Sequence, residues 1–220
     1  MEKILQIALD MTELVKAVDL SLKIVSTFKC KNIWLEAGTP LLKAWGKLAV
    51  KSLKNLTNCF VVADTKTIDA AQIEAETMFK NGADAITILA VADDEVLREA
   101  MSIKKEYNDK LLIIDLISHP NPYQRAMELS RFEPDVLLYH VGISVQKARK
   151  LTVHDLLSEI GRIKNELAIT IGVAGGLKPG LIKPVIEQGA DIIVVGGAIT
   201  KARDPLSIVS EIFREMSIML

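Results

Sequence analysis

Short apolar runs alternate with longer amphipathic segments along the whole chain. The apolar runs are rich in β-branched residues and nearly continuous, which is typical of parallel strands buried on both faces of a sheet. The strands predicted from these runs are Ile4–Leu9, Asn32–Leu35, Cys59–Ala63, Ala85–Leu89, Leu111–Leu116, Val136–Tyr139, Ala168–Val173 and Asp191–Val195.

The amphipathic segments have helical length and carry helix-start signals. The predicted helices are Thr12–Phe28, Pro40–Lys54, Ala70–Asn81, Asp93–Tyr107, Pro122–Arg131, Val153–Glu166, Pro179–Gln188 and Pro205–Ser217. The candidate capping residues are Thr12, Asp69, Asp93 and Asp204, and two prolines, Pro40 and Pro205, suit a first helical turn. Glycines at 82 and 189 are placed to end two helices in a left-handed conformation.

Strict alternation of strands and helices predicts a parallel sheet with right-handed crossovers. Eight such units in 220 residues favour the α/β class, as a single (β/α)8 TIM barrel that forms one catalytic domain over residues 1–220. No linker or change in composition divides the chain. An open, doubly wound sheet is the structural alternative.

Composition narrows the functional classes. Lys and Arg number 27 and Asp and Glu 28, so the net charge of -1 argues against a nucleic-acid or membrane partner. No apolar run is long enough to cross a bilayer, and no signal peptide is visible at the N-terminus. Cys30 and Cys59 lack metal-ligand spacing, and we expect two reduced thiols in a cytoplasmic protein.

Polar residues end the predicted strands where barrel enzymes carry their chemistry. These residues are Asp10, Glu36, Asp64, Lys66, Asp115 and His140. Asp64 and Lys66 are two positions apart, so on an extended chain they point the same way. Glu36 and Asp64 lie on neighbouring strands and could share a Mg²⁺ ion, while Lys66 could stabilise an oxyanion. A structural ion-pair cluster that closes the barrel mouth is the alternative.

Two further polar residues have open interpretations. His140 is either a packed, hydrogen-bonded histidine or a general acid or base, and its convergence with the carboxylates favours the second. Asp69 begins a good capping pattern, so helix capping and catalysis are both open for it.

Glycine pairs follow the last two strands, at Gly175-Gly176 and Gly196-Gly197. Glycine lets backbone N–H groups approach an anion, and a phosphate site after strands seven and eight recurs in barrels. Tight turns are the simpler interpretation of each pair alone, but two pairs on adjacent strands favour a phosphate site.

These motifs together resemble the orotidine-monophosphate-decarboxylase suprafamily. Its hallmark Asp-x-Lys-x-x-Asp is present as Asp64-Thr-Lys66-Thr-Ile-Asp69. Within the suprafamily, the chain is most similar to the 3-hexulose-6-phosphate synthase branch. The resemblance covers nearly the whole chain, in the stretches Leu5–Asp10, Leu35–Pro40, Val62–Asp69, Asn81–Asp84, Tyr139–Ile143, Val173–Leu177 and Val195–Thr200.

The resemblance implies an aldehyde-lyase that catalyses a reversible, Mg²⁺-dependent aldol condensation of D-ribulose 5-phosphate with formaldehyde through an enediolate. Mn²⁺ is the alternative metal. Such an enzyme belongs to the ribulose monophosphate pathway of carbohydrate metabolism, and it would either fix formaldehyde or supply pentose phosphate.

The resemblance also implies a role for each matching residue. Glu36 and Asp64 would bind the metal, Lys66 would stabilise the enediolate, and His140 would be the acid or base. Asp69 would reach into the active site of a second subunit, so a homodimer with shared active sites is expected. The remaining positions would bind substrate, through the polar side chains of Asp10 and Asp115 and the glycine loops at 175–176 and 196–197.

Other interpretations remain open. The nearest is 3-keto-L-gulonate-6-phosphate decarboxylase, for which an arginine after strand eight and basic residues after His140 are expected; Gly197 and Val141-Gly142 stand there instead. Orotidine-monophosphate decarboxylase needs no metal and would leave Glu36 without a role. A non-catalytic sugar-phosphate-binding barrel would not need the acidic set. Ser144 replaces an acidic residue that the synthase pattern predicts.

Overall fold

The computed structural model describes residues 2–141 and 153–218, with only the backbone for residues 153–156. Eight parallel strands form a closed barrel in sequential order, and β1 pairs with β8 to close it. The strands are β1 Ile4–Ala8, β2 Ile33–Ala37, β3 Phe60–Thr67, β4 Ala85–Leu89, β5 Leu111–Asp115, β6 Val136–His140, β7 Thr170–Ala174 and β8 Ile192–Val195. The predicted (β/α)8 barrel is therefore confirmed, and the open sheet is excluded.

Helices follow the strands around the outside of the barrel. They are α1 Leu14–Phe28, α2 Thr39–Trp45, α3 Lys47–Thr57, α4 Ala71–Lys80, α5 Asp94–Glu106, α6 Pro122–Leu129, α7 Val153–Glu166, α8 Ile182–Glu187, α9 Gly197–Thr200 and α10 Pro205–Glu215. A 3₁₀ turn, Ser130–Phe132, continues α6. No helix in the described ranges is long and apolar enough to span a membrane.

The single helix predicted over Pro40–Lys54 is wrong in one respect. Gly46 adopts a φ of 53°, in the left-handed region, and divides the segment into α2 and α3. A residue without Cβ takes this conformation at little cost, so the chain can turn between two short helices at that point. Sequence periodicity alone did not reveal the break, because both helices keep an apolar face towards the sheet.

The capping predictions are confirmed at two helices and wrong at two. Asp93 and Asp204 accept hydrogen bonds from backbone N–H groups in the first turns of α5 and α10. Glu13 rather than Thr12 precedes α1, without a side-chain cap. Ala70 rather than Asp69 is the N-cap of α4, because its left-handed φ of 52° changes the chain direction before the helix begins.

The cysteine prediction is also wrong. Cys30 and Cys59 form a disulfide, with Cα atoms 5.2 Å apart. They lie just before β2 and β3, two adjacent strands, at the end of the barrel where the strands begin. Their separation of 29 residues in the chain gives no sign of this proximity, because only barrel closure brings the two loops together.

Two apolar layers stabilise the barrel. An outer layer between strands and helices contains fully buried residues such as Leu35, Val61 and Ile86. An inner layer fills the barrel itself, and the rings of Trp34 and Phe60 stack there with centroids 4.0 Å apart. Because the interior is packed at this end, the space for a ligand inside the barrel lies towards the carboxyl ends of the strands.

Candidate active site

A cavity of about 580 Å³ opens at the carboxyl ends of the strands, a size suited to a small ligand. Its walls include most of the site residues that were predicted from the sequence. These are Asp10, Glu36, Asp64, Lys66, His140, Gly175, Gly176, Gly196 and Gly197. The strands thus bring together residues that are far apart in the chain.

Strand periodicity explains why these side chains face the cavity. Side chains alternate across a strand, so a residue two positions beyond an inward apolar residue also points inward. Val62 packs inside the barrel and is followed by Asp64, and Leu138 is followed by His140 in the same way. The polar residues therefore continue the inner apolar layer at the end of the barrel that is open to solvent.

The Asp64 carboxylate is held by three hydroxyl and amide donors. Thr39 donates from its Oγ1 at 2.6 Å and from its backbone N at 3.2 Å, both to Asp64 Oδ2. Thr87 Oγ1 donates to Asp64 Oδ1 at 2.8 Å. Since Asp64 is 4 % exposed, these contacts stabilise its charge and restrict its orientation.

Lys66 lies between two carboxylates. Its Nζ is 3.1 Å from Asp64 Oδ1 and 2.6 Å from Asp115 Oδ2. Partial burial disfavours the ammonium, but the charges of Asp64 and Asp115 outweigh this effect and raise the pKa of Lys66 above its usual range. Lys66 therefore remains protonated at neutral pH and can stabilise negative charge at the cavity floor.

The backbone at Lys66 departs from the extended geometry of a regular strand. Its φ is 47°, and the β3–β4 register shifts between Ala63 and Thr67. The Lys66 N–H donates to Thr87 Oγ1 at 2.9 Å, which supports this strained conformation. The predicted proximity of Asp64 and Lys66 is confirmed, but an irregular strand produces it.

Asp115 connects Lys66 to His140. It is fully buried, and its Oδ2 accepts hydrogen bonds from Lys66 Nζ and, at 3.2 Å, from His140 Nδ1. Burial alone would raise the pKa of Asp115, but the hydrogen bond and charge of His140 and the charge of Lys66 lower it. Asp115 thus positions both groups, and because His140 Nδ1 is engaged, Nε2 is the ring nitrogen left for chemistry. Direct substrate contact by Asp115 stays a prediction.

Glu36 is buried beside Asp64 and accepts one hydrogen bond from Gln6 Nε2 at 2.6 Å. Burial and the charge of Asp64 raise the pKa of Glu36 well above its usual range. When both carboxylates are ionised, they repel each other. Among the side chains that the structure describes, in residues 2–141 and 157–218, no group of three or more His, Cys, Asp or Glu is arranged to hold a metal ion.

Asp10 lies between two glycines at the cavity wall. A Cβ on Gly38 would be 2.3 Å from Asp10 Oδ1, and a Cβ on Gly196 would be 3.1 Å from Asp10 Oδ2. The side chain is exposed to the cavity, but the nearby backbone and side chains remove part of its hydration. This partial desolvation and the charge of Asp64 raise the pKa of Asp10.

Asp69 does not join this cavity. Its side chain is exposed, and its Oδ1 accepts a hydrogen bond from Ala70 N at 2.7 Å. The two flanking apolar residues Ile68 and Ile73 are 56 % and 71 % exposed. The positions of Gly142 and Ser144 lie outside the described residues.

Three residues that hold the site were not predicted: Gln6, Thr39 and Thr87. Their side chains hydrogen-bond to the carboxylates of Glu36 and Asp64. A signal existed for two of them, since Gln6 and Thr87 interrupt otherwise apolar strands and are each 1 % exposed. A polar residue inside a buried strand needs a hydrogen-bond partner.

The closed barrel and its linked carboxylate, lysine and histidine groups at the carboxyl ends define the class of (β/α)8-barrel enzymes. The sequence model of the Orotidine 5'-phosphate decarboxylase / HUMPS family matches residues 3–212, and the chain belongs to this family.

Comparison with known proteins gives closer relatives. The chain is 35% identical over 203 residues to a 3-hexulose-6-phosphate synthase of Staphylococcus aureus, covering 92% of this chain and 93% of the relative. The crystal structure of 3-hexulose-6-phosphate synthase from Salmonella typhimurium has a TM-score of 0.87 and 30% identity, over 97% of this chain and 98% of that chain. A 3-keto-L-gulonate-6-phosphate decarboxylase from Vibrio cholerae has a TM-score of 0.85 and 25% identity, over 99% and 98%. These relatives are enzymes, which supports an enzymatic role here.

Proposed function

We propose that this protein is a 3-hexulose-6-phosphate synthase. The reaction is the reversible aldol condensation of D-ribulose 5-phosphate with formaldehyde, with Mg²⁺ as cofactor. The observation that carries the proposal is the linked group of Asp64, Lys66, Asp115 and His140 beside buried Glu36, in a chain similar to named synthases.

The carboxylates of Glu36 and Asp64 suit a Mg²⁺ ion. They are hard oxygen donors on neighbouring strands, and their mutual repulsion would be relieved by a divalent cation. Two carboxylates are a common protein contribution to Mg²⁺, which usually keeps water or substrate oxygens as its other ligands. When bound there, the ion would acidify the C1 proton of the ketose and disperse the developing negative charge.

The side chains of the site account for the proton and charge transfers. His140 Nε2 removes the C1 proton while Asp115 stabilises the imidazolium through Nδ1. Lys66 stabilises the negative charge on the enediolate oxygen. C1 then attacks the carbon of formaldehyde, the carbonyl electrons move to the formaldehyde oxygen, and His140 returns the proton to that alkoxide. Reversal of these steps releases formaldehyde, which is an aldehyde-lyase reaction.

An assay with two substrates tests the proposal. Purified protein is mixed with Mg²⁺, D-ribulose 5-phosphate and formaldehyde, and formaldehyde loss is followed with and without EDTA. We expect loss that depends on the sugar phosphate and stops with EDTA. If formaldehyde persists but carbon dioxide is released from 3-keto-L-gulonate 6-phosphate, the protein is instead the decarboxylase. Binding of D-ribulose 5-phosphate without either reaction would indicate a non-catalytic barrel.

We also propose that a second copy of the chain completes the active site through Asp69. Asp69 lies outside the cavity of its own chain, between the exposed Ile68 and Ile73, so this segment has an apolar surface that a second copy would cover. A carboxylate placed in this way could reach the cavity of a partner in a symmetric dimer.

Subunit mixing tests this arrangement. Asp69→Asn and Lys66→Ala are each expected to be inactive as homodimers. Mixed and reassembled in equal amounts, they should recover about a quarter of the wild-type activity, since half of the dimers are then hybrid and each hybrid has one intact site. Ile73→Asp should shift the sedimentation coefficient towards a monomer, with Leu22→Asp on α1 as the control. A monomeric wild type, or no recovery on mixing, contradicts the shared site.

A further inference from the structure

The cavity wall formed by the two glycine loops lies close to a carboxylate, and this negative charge disfavours binding of a phosphate group there. If the proposed function holds, the phosphate group of the substrate binds near Gly176 and Gly197. The Asp10 carboxylate lies directly against neighbouring Gly196. A phosphate dianion placed here is close to a carboxylate, and repulsion between like charges in a partly enclosed site weakens binding.

The cations already described are engaged elsewhere. Lys66 contacts Asp64 and Asp115 at the cavity floor, and His140 contacts Asp115. The cavity region as a whole holds more carboxylates than cations, because Asp10 and Glu36 also lie there. Under the proposed function, a Mg²⁺ ion would be engaged by Glu36 and Asp64, so a phosphate dianion at the glycine loops needs positive charge from outside this group.

Lys178 and Lys201 have the required positions. Lys178 follows the Gly175–Gly176 loop and lines the cavity. Lys201 follows α9, and a Cβ on Gly197 would be 3.9 Å from Lys201 Cδ, so the aliphatic part of Lys201 passes beside that glycine. Lys201 is also close enough to Asp10 to oppose the increase that burial and Asp64 cause in the pKa of Asp10.

Both lysines are exposed, and neither forms an ion pair or a side-chain hydrogen bond with another residue in the described parts of the chain. In contrast, most lysines buried against the barrel have carboxylate partners, as Lys54 and Lys164 do. Lys178 and Lys201 stand on different loops, one after β7 and one after β8. Their ammonium groups can therefore approach a phosphate from two sides.

We propose that Lys178 and Lys201 bind the phosphate dianion of the substrate and determine the preference of the enzyme for a phosphorylated sugar. This inference rests on the proposed function for the identity of the substrate. It adds two specificity-determining residues that the sequence analysis did not identify.

Steady-state kinetics with D-ribulose 5-phosphate test the proposal. Lys178→Met and Lys201→Met should each raise KM about tenfold, as expected for one charge-assisted contact, and the double variant should raise it further. The effect on kcat should be smaller than the effect on KM, because these residues are remote from the reacting carbon. Lys201→Arg should restore most of the affinity. Lys183→Met is the matched control, since Lys183 is an exposed lysine on α8 that lies beside Glu187.

A second measurement separates this proposal from the proposed function. Binding of inorganic phosphate is followed by the broadening of its ³¹P resonance, which requires no turnover. Wild type and Lys183→Met should bind phosphate, and the double variant should bind at least about tenfold more weakly. Equal phosphate binding by wild type and the double variant, or none by wild type, overturns the proposal. If phosphate binding follows the lysines while formaldehyde is not consumed, the proposed function fails and the lysine site stands.

Discussion

At the scale of single residues, the Asp64 carboxylate is contacted by three other side chains. Thr39 donates a hydrogen bond to Oδ2, and Thr87 donates one to Oδ1. Lys66 forms an ion pair with Oδ1. These contacts fix the orientation of a buried carboxylate at the cavity wall. A fixed oxygen donor of this kind is suited to bind a hard cation such as Mg²⁺.

Asp64→Asn should reduce turnover by at least about a hundredfold while the barrel remains folded, because the substitution removes the charge and places an NH₂ donor among donors. The rate of formaldehyde loss and the far-ultraviolet circular dichroism spectrum check this together. Asp19→Asn is the control, since Asp19 is 61% exposed on α1. Near-normal turnover of Asp64→Asn would show that the metal assignment is wrong.

Gly38→Ala should destabilise the protein through Asp10. The new Cβ would be 2.3 Å from Asp10 Oδ1, so the carboxylate must move, and overpacking of this kind costs about 1–3 kcal/mol. In an Asp10→Ala background the same substitution should cost less, because the closest clashing atom is gone and Leu9 O, at 3.1 Å from the new Cβ, is the close contact that remains. Urea unfolding of the four proteins in this cycle gives the coupling. Equal costs in both backgrounds would mean that Gly38 is required for another reason.

At the scale of elements, three strands begin with the same stabilising device. An aspartate directly before β4, β6 and β8 accepts a hydrogen bond from the backbone N–H of the preceding strand and an ion pair from a lysine of a nearby helix. The three groups are Asp84 with Val61 and Lys54, Asp135 with Leu112 and Lys104, and Asp191 with Ile171 and Lys164. Each device connects a helix to two strands at the end of the barrel opposite the cavity.

The glycines that end α4 and α8 belong to the same device. Gly82 and Gly189 both have a φ of 99°, as the predicted left-handed endings require. A Cβ on Gly82 would be 2.9 Å from Lys54 Cγ, and one on Gly189 would be 2.5 Å from Lys164 Cγ. Glycine is therefore needed for two reasons at once, the backbone conformation and the passage of the lysine.

Asp191 makes the stability of the barrel depend on pH in the acidic range. Burial alone would raise its pKa, but hydrogen bonds from Lys164, Ile171 and Lys3 lower it. A carboxyl whose folded pKa is below its unfolded value, about 3.9 for Asp, stabilises the fold above that value. This contribution is lost as the pH falls through the folded pKa.

We therefore expect the free energy of unfolding to fall as the pH is lowered below about 4. The Asp191→Asn variant should show a smaller slope of this free energy against pH, and it should be less stable than wild type at pH 7. Urea titrations at a series of pH values measure both effects. Asp19→Asn, which removes an exposed carboxylate, should leave the slope close to that of wild type. An unchanged slope in Asp191→Asn would contradict the role of this carboxyl.

At the scale of the whole molecule, closure of the barrel creates contacts that no segment could form alone. Lys66 and Asp115 are 49 positions apart and yet form an ion pair, and β1 pairs with β8 across nearly the full chain. The disulfide between Cys30 and Cys59 is a further consequence, because adjacent strands bring their preceding loops together.

Reduction of this disulfide should lower the free energy of unfolding by about 3 kcal/mol, because a crosslink across 29 residues limits the entropy of the unfolded chain. Urea midpoints with and without a phosphine reductant measure the effect. The Cys30→Ser, Cys59→Ser double variant should resemble the reduced protein and should not respond to the reductant. Identical midpoints for oxidised and reduced wild type would contradict the prediction.

Local pattern by itself determined the order of the strands and helices, the barrel class and most of the residues around the cavity. This was possible because periodicity and helix-end signals are properties of neighbouring residues, and because parallel strands deliver their carboxyl ends to one side of a barrel. The positions of Asp10, Glu36, Asp64, Lys66 and His140 follow from this rule.

Other features were decided only by the tertiary structure. Three of these features depend on residues that are distant in the chain. They are the hydrogen bonds from Thr39 and Thr87 to Asp64, the irregular backbone at Lys66 and the Cys30–Cys59 disulfide. Local propensity carries no information about such contacts, since their energies arise only after barrel closure brings the groups within bonding distance.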